Sequence, residues 1–316
     1  MILFIEKIKK NDLYLLALVA ILILTTVSNT SNAVEPIIGT ERSSDARAIS
    51  LQDSLRASSS GTASLYLNPA SMSMAKVYHV AMNYQFTGRD NLNDWGLVFL
   101  DSITSSKIAA GASLNYRKDS LKKSDFESWD ARLALSASLG ENFSLGFTGR
   151  YVRAAQDLKS SSEGPNGSAI MDKSGDIQAS GFTFDAGMAI RMGSMMTLAV
   201  TGYNLTDTKT IYAPIVLGTG LSLNLLKMIF AETDVELDFT SYKSTAVTWK
   251  LGVEFLVQER YAFRTGYAHD FLNGIDRVSA GLGFSSTRFA IDLGYNQDIQ
   301  FSSRFRLALG IRIFVG

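Results

Sequence analysis

The chain has 316 residues, no cysteine, 30 basic side chains against 30 acidic ones, and only two histidines. That composition removes a disulfide framework, a thiolate metal site and a lipid-bearing cysteine. The basic residues are scattered singly, which leaves no footprint for nucleic acid, and no paired-histidine spacing is present, so neither a metal nor a cofactor is expected.

In chain order, Lys7, Lys9 and Lys10 precede an apolar run from Leu13 to Val27 and a small, polar stretch, SNTSNA. That is the layout of a secretory signal peptide, expected to occupy residues 1–33 with cleavage after Ala33. The run is shorter than the roughly 20 residues a membrane-crossing helix needs. Residues 34–75 are serine-rich, carry no sustained period and include Asn68-Pro69-Ala70, a pair of residues that favours a turn followed by a small side chain.

From residue 76 onward apolar and polar residues alternate, and period two means strands. Fourteen are expected, at about 76–86, 93–100, 107–117, 129–139, 143–155, 181–192, 196–205, 214–225, 228–239, 246–257, 261–269, 276–285, 288–297 and 304–314. Most are close to the roughly 9 to 11 residues a tilted strand uses to cross a bilayer. From GEN (140–142) onward, every second connection is tight (MGS 192–194, the turn ending at Lys227, QER 258–260, SST 285–287), while the connections between them are longer, above all 157–180. Short turns at one end and long loops at the other are the habit of outer-membrane barrels.

A soluble sandwich also alternates, but three features point to a barrel in lipid. Aromatics sit near strand ends on the apolar parity: Tyr116, Phe143, Tyr151, Trp249, Phe255, Tyr261, Tyr267, Phe289, Tyr295 and Phe305. The opposite parity is rich in glycine, alanine and serine with charges set among them, which suits a lumen. The last strand, RFRLALGIRIF, can pair with the first and remove both sheet edges. Its Leu307, Leu309 and Ile311 are then expected to face lipid, and Arg306 and Arg312 the lumen.

The strand around residues 229–239 carries Glu232, Asp234, Glu236 and Asp238 on its polar face. Acidic rings line some cation paths. A buried carboxylate without a partner would rather protonate, so the expected arrangement is an internal ion-pair network with Arg150, Lys250, Glu254, Arg264, Asp292, Arg306 and Arg312, all on lumen parity. His79 also falls on lumen parity, and His269-Asp270 near a loop-side rim; no full catalytic constellation assembles around either, so the chain is not expected to be an enzyme.

The segment GTASLYLNPASMSMAKVYHVAMNYQF resembles the N-terminal part of the FadL-like outer-membrane transporters and the related PorV-like proteins, and TGYNLTD, LGVEF, YAFRTGY, GLGF and FAIDLGYN resemble strand phrases of the PorV branch. The resemblance covers roughly residues 60–316. It departs at AISLQDSLRASSSGTA, where glycine-rich sequence is usual and only Gly61 is present, and at Phe314, which Val315 and Gly316 follow. It implies an all-β, antiparallel, up-and-down barrel of fourteen strands over residues 76–316, with residues 34–75 folded inside as a plug to which Asn68, Pro69 and Ala70 belong. It further implies an outer-membrane location in contact with lipid and passive transport of hydrophobic or amphipathic small molecules; the PorV branch implies instead an accessory barrel that binds or relays a secreted or surface protein. The sequence carries no nucleotide-binding motif, so any transport is expected to run down a gradient.

Overall fold

The computed structural model of the protein describes residues 45–88, 91–119, 126–155, 177–206, 212–225 and 228–315. The expected signal peptide, residues 34–44 of the expected plug and most of the 157–180 loop lie outside them. Fourteen strands follow one another: β1 (Tyr78–Thr87), β2 (Leu92–Asp101), β3 (Ile108–Asp119), β4 (Glu127–Ser138), β5 (Phe143–Ala155), β6 (Ile177–Met192), β7 (Met196–Tyr203), β8 (Val216–Leu225), β9 (Ile229–Asp238), β10 (Ala246–Val257), β11 (Tyr261–Asp270), β12 (Ile275–Ser285), β13 (Phe289–Asp298) and β14 (Phe305–Phe314). Each pairs antiparallel with its neighbours in sequence, and β14 pairs with β1, from His79 opposite Phe314 to Thr87 opposite Arg306. Closure leaves no open edge to template aggregation.

The tight turns gather at one end of the barrel, here the turn end, and the longer connections at the other, the loop end. The turn between β10 and β11 has Gln258 and Glu259 both in the left-handed region, at φ of 54° and 56°, and Arg260 N–H donates to Val257 O at 3.1 Å. Two left-handed residues in succession twist the hairpin in the same sense as the strands it joins.

The solvent preference of the two faces is inverted relative to a soluble protein. Leu133 and Phe182 on the outside are 73 % and 71 % exposed, while Arg56 inside is wholly buried. An apolar exterior round a polar interior is stable only with hydrocarbon outside, where closed barrels satisfy every backbone group. Rings contact one another along the outer wall in two bands. Tyr84, Trp95, Tyr116 and Trp129 form a chain toward the loop end, joined on β13, β14 and β1 by Tyr295, Phe305 and Phe86; Tyr261, Phe284 and Phe289 lie toward the turn end. Tyr267 departs from the expected girdle position. It has outward parity but is buried, edge-on to Trp249 and donating its hydroxyl to Asp276.

Leu307, Leu309 and Ile311 face outward and Ala308, Gly310 and Arg312 inward. Replacing Leu309 by arginine is therefore expected to cost roughly 2 to 4 kcal/mol and to lower the folded fraction seen as heat-modifiable gel migration. Ala308 is no neutral comparison, because it packs against Ala46 and Ile49 of the interior segment. Thr248 lines an open cavity instead, and arginine there should leave the folded fraction near that of the parent. Equal losses at Leu309 and Thr248 would overturn the outward assignment.

Residues 45–74 lie inside the barrel. A short helix α1 (Ala46–Ile49), capped by the Asp45 carboxylate accepting from Ala48 N–H, rests on β12, β13 and β14. The chain then passes β9 and returns through α2 (Thr62–Leu67) against β2 and β3 to a 3-10 helix at Pro69–Met74 on β4, β5 and β6. Leu51, Leu55, Leu65, Tyr66, Leu67 and Met72 of this segment join Ala81, Val98, Leu100, Ala109 and Ala134 of the wall in one apolar cluster. These inward-facing apolar residues of the wall are covered by the plug.

Candidate functional site: the plug and its seat

The plug approaches the wall so closely that only glycine fits opposite it. Gly146 on β5 stands directly across from Gly187 on β6. A Cβ on Gly146 would meet the backbone of Pro69 and Ala70, and one on Gly187 the Asn68 side chain. The two glycines form a notch for Asn68-Pro69-Ala70. Within it the Asn68 side chain accepts from Ala70 N–H at 3.0 Å and donates to Arg56 O at 2.9 Å, so one amide holds two stretches of the plug together. Pro69 starts the 3-10 helix where its missing N–H costs nothing. The same device recurs at the facing pair Gly252 and Gly266, which seats Leu51, and at Gly281 and Gly294, which seats Ser50 and Ala46.

The acidic strand β9 grips the plug rather than the wall. The Arg56 guanidinium donates to Asp234 at 2.9 Å and Glu236 at 2.5 Å and lies 5.4 Å from the Tyr203 ring centroid; both Arg56 and Asp234 are fully buried. Tyr203 in turn accepts from Arg56 Nε at 3.1 Å and donates to Leu67 O. Glu232 accepts from the backbone N–H of Ala57 and Ser58, at 2.5 and 2.9 Å, and from the Ser58 hydroxyl. Lys250 completes this side with Glu236 at 3.0 Å. Asp238 turns to the next connection, accepting from Thr240 N–H, Ser241 N–H and the Ser241 hydroxyl.

A second chain of charges runs nearer the turn end. Arg47 of the plug donates twice to Glu254, both at 3.0 Å; Arg264 joins Glu254 at 2.5 Å to Asp292 at 2.7 Å; Arg312 reaches Asp292 at 2.6 Å. Burial by itself would lower the pKa of Arg47, but the opposed Glu254 carboxylate outweighs it and raises the guanidinium above its ordinary value. Arg306 pairs with Asp53 of the plug at 3.5 Å. Arg150 lies apart on β5, held by Asp130 at 2.5 Å and Asn204 at 2.7 Å. The eleven lumen charges read from the sequence therefore fall in separate groups, and three of the groups close through the plug.

Sequence reasoning missed the plug residues Arg47, Asp53 and Arg56. The available signal was their isolation: they and Asp45 are the only charged residues between 45 and 75. His269 and Asp270, neighbours in sequence, do not meet. His269 Nδ1 lies 2.8 Å from Asp276 on the neighbouring strand, whereas Asp270 caps its own turn at Leu272 and Asn273. His79 is fully buried, with Nε2 3.3 Å from the Thr62 hydroxyl.

Among the described residues, cavities lie on either side of the plug. One of about 180 Å³ opens toward the loop end and is lined by charged and hydroxyl side chains including Asp53, Thr87, Lys250 and Arg306. The other, about 370 Å³ at the turn end, is lined by Phe230, Leu256 and Ala262 together with Arg47, Glu254 and Arg264.

No protein-family model and no curated protein matches the sequence. Solved structures do. The chain is similar to the CymD monoaromatic hydrocarbon channel, at 12 % identity over 80 % of this chain and 92 % of that one, with a TM-score of 0.59. It is similar to the Pseudomonas putida toluene transporter TodX, at 12 % identity over 90 % and 98 % with a TM-score of 0.58. A Pseudomonas aeruginosa FadL homologue matches at 12 % identity over 90 % and 98 %, with a TM-score of 0.53. Fourteen strands in one closed meander and an interior N-terminal segment, together with these likenesses, give the chain the fold of a FadL-like outer-membrane barrel.

Proposed function

We propose that the protein is a passive outer-membrane transporter for hydrophobic or amphipathic small molecules, closed at rest by its plug. The observation that carries this reading is the cavity at the turn end, which Phe230, Leu256 and Ala262 line alongside the charges of Arg47, Glu254 and Arg264. Such a site suits a molecule with an apolar body and a polar head, since a few placed polar groups orient a ligand whose burial supplies the affinity. Likeness in fold to a monoaromatic hydrocarbon channel and a toluene transporter supports the same class. Eight strands fill with side chains and sixteen or more leave an aqueous channel; fourteen with a plug allow restricted passage. The inverted faces support placement in a lipid bilayer, and the cleaved signal peptide expected at residues 1–33 would deliver the chain there.

The test is uptake into vesicles reconstituted with the full chain, comparing decanoate with toluene and with a hydrophilic solute of similar size. Faster entry of decanoate or toluene than into protein-free vesicles, with the hydrophilic solute unchanged, is the expected result. No enhancement for either, together with a secreted or surface protein that co-purifies from native membranes, would replace transport with an accessory role.

A further inference from the structure

We propose that the loop-end cavity is a binding site for a small, neutral, polyhydroxylated molecule, a monosaccharide or a cyclic polyol, separate from the turn-end cavity of the transport reading. Its volume, about 180 Å³, lies below the roughly 300 to 1,000 Å³ of pockets for drug-sized ligands, which restricts the occupant to a small molecule. Among the described residues five carboxylates and four cationic side chains line it, and Arg56 of the plug supplies the fifth positive charge through Glu236. A lining matched in this way offers no net charge to an ion. It also carries two rings, Tyr242 and Phe305, against which the apolar C–H face of a sugar can lie.

Two ion pairs at this cavity stand open. Arg306 lies 3.5 Å from Asp53, and Arg304 Nε lies 3.5 Å from Asp298, both beyond the reach of a direct N–H···O bond, about 2.7 to 3.2 Å. At the turn-end cavity the ion pairs close to between 2.5 and 3.0 Å. Arg306 makes no hydrogen bond among the described residues, so its guanidinium keeps its donors for a ligand. A hydroxyl beside such a pair donates to the carboxylate and accepts from the guanidinium at once, and needs no charge of its own. Arg306 on β14 stands opposite Thr87 on β1 and Asn296 on β13, so three adjacent strands bring a guanidinium, a hydroxyl and an amide to one level, and all three line the cavity. Asp53 meets them from the plug on a turn whose central residues, Gln52 and Asp53, both stand in the left-handed region at φ of 58°, closed by Ser54 N–H donating to Leu51 O at 3.0 Å. Left-handed residues other than glycine carry strain, which concentrates at ligand clamps. Here it delivers the Asp53 carboxylate to the cavity, while Gln52 Oε1 accepts from Asn296 Nδ2 at 2.6 Å. Capture at this site does not require passage beyond the plug, whose Asp53 and Leu67 line the cavity.

Saturation-transfer NMR tests this, with the full chain in micelles of an amine oxide detergent, which carries no sugar, and a mixture of glucose, galactose, rhamnose, myo-inositol and glycine betaine. Transfer to at least one of the sugars or to inositol, above that in protein-free micelles and above that to betaine, is expected. Arg306→Gln and Asp53→Asn should each weaken this binding about tenfold or more, since each removes one side of the open pair. Thr248→Arg fills the cavity from β10 and should abolish transfer while the barrel stays folded; it serves if the other two variants fail to fold, as judged by heat-modifiable migration. Decanoate and toluene uptake are read in a separate assay, so sugar binding and transport stand or fall independently. No transfer to any sugar or to inositol, transfer to betaine alone, or parent-like transfer in folded Thr248→Arg or folded Arg306→Gln would each overturn the proposal.

Discussion

Deleting residues 36–70 is expected to leave a barrel that assembles yet conducts ions in planar bilayers, while the intact protein conducts little. The deletion removes most of the plug groups that fill the lumen, including Arg47, Arg56 and Asn68-Pro69-Ala70, but no strand and no strand pairing. A fourteen-stranded wall is too wide for its own side chains to fill. The facing glycines that seat the plug make it wider still, because Gly146, Gly187, Gly252 and Gly266 put nothing into the space. Glu232, Asp234 and Glu236 would lose their plug partners and become hydrated rather than stranded, so the barrel survives and the path acquires a cation preference. Single-channel conductance and the reversal potential in a salt gradient read both effects. Low conductance in both proteins would mean that the plug is not what closes the lumen.

Replacing Arg56 by alanine in the full chain should be the most damaging single change in the plug. It removes the guanidinium from Asp234 and Glu236 while the rest of the plug still shields them from water. Glu236 retains Lys250 at 3.0 Å, so the uncompensated charge falls on Asp234. Breaking a buried pair from one side costs about 3 to 5 kcal/mol. Loss at exposed Glu141 should be close to neutral, because surface charges contribute little. Adding Asp234→Asn to Arg56→Ala should recover part of the loss, since the stranded charge is then gone, and the coupling measured by the double-mutant cycle reports the pair itself. Denaturant unfolding from lipid vesicles gives all four values. Additive losses from the two changes would mean that Arg56 and Asp234 do not hold one another.

Much of this was legible in the sequence. Each strand's period of two writes the solvent on either side into alternate residues, so the outward Leu307, Leu309 and Ile311 and the inward Arg306 and Arg312 can be read locally, strand by strand. The number of strands and the alternation of tight and long connections follow from the same local signal. Asn68-Pro69-Ala70 was visible as a turn, and the inward glycines as small residues on lumen parity. The path of residues 45–74 through the lumen was not, because it depends on contacts between residues more than a hundred positions apart, such as Arg56 with Asp234. That path decides which carboxylates of β9 meet a guanidinium, why Ala308 cannot accept a larger side chain, and why the inward Val98 and Leu100 offer no surface to a ligand. Likewise His269 meets Asp276 only because the β11–β12 register sets them opposite each other. Alternation is a property of one strand against its two solvents; partnership across a filled lumen is a property of how the whole chain threads it, and only the tertiary structure decides that.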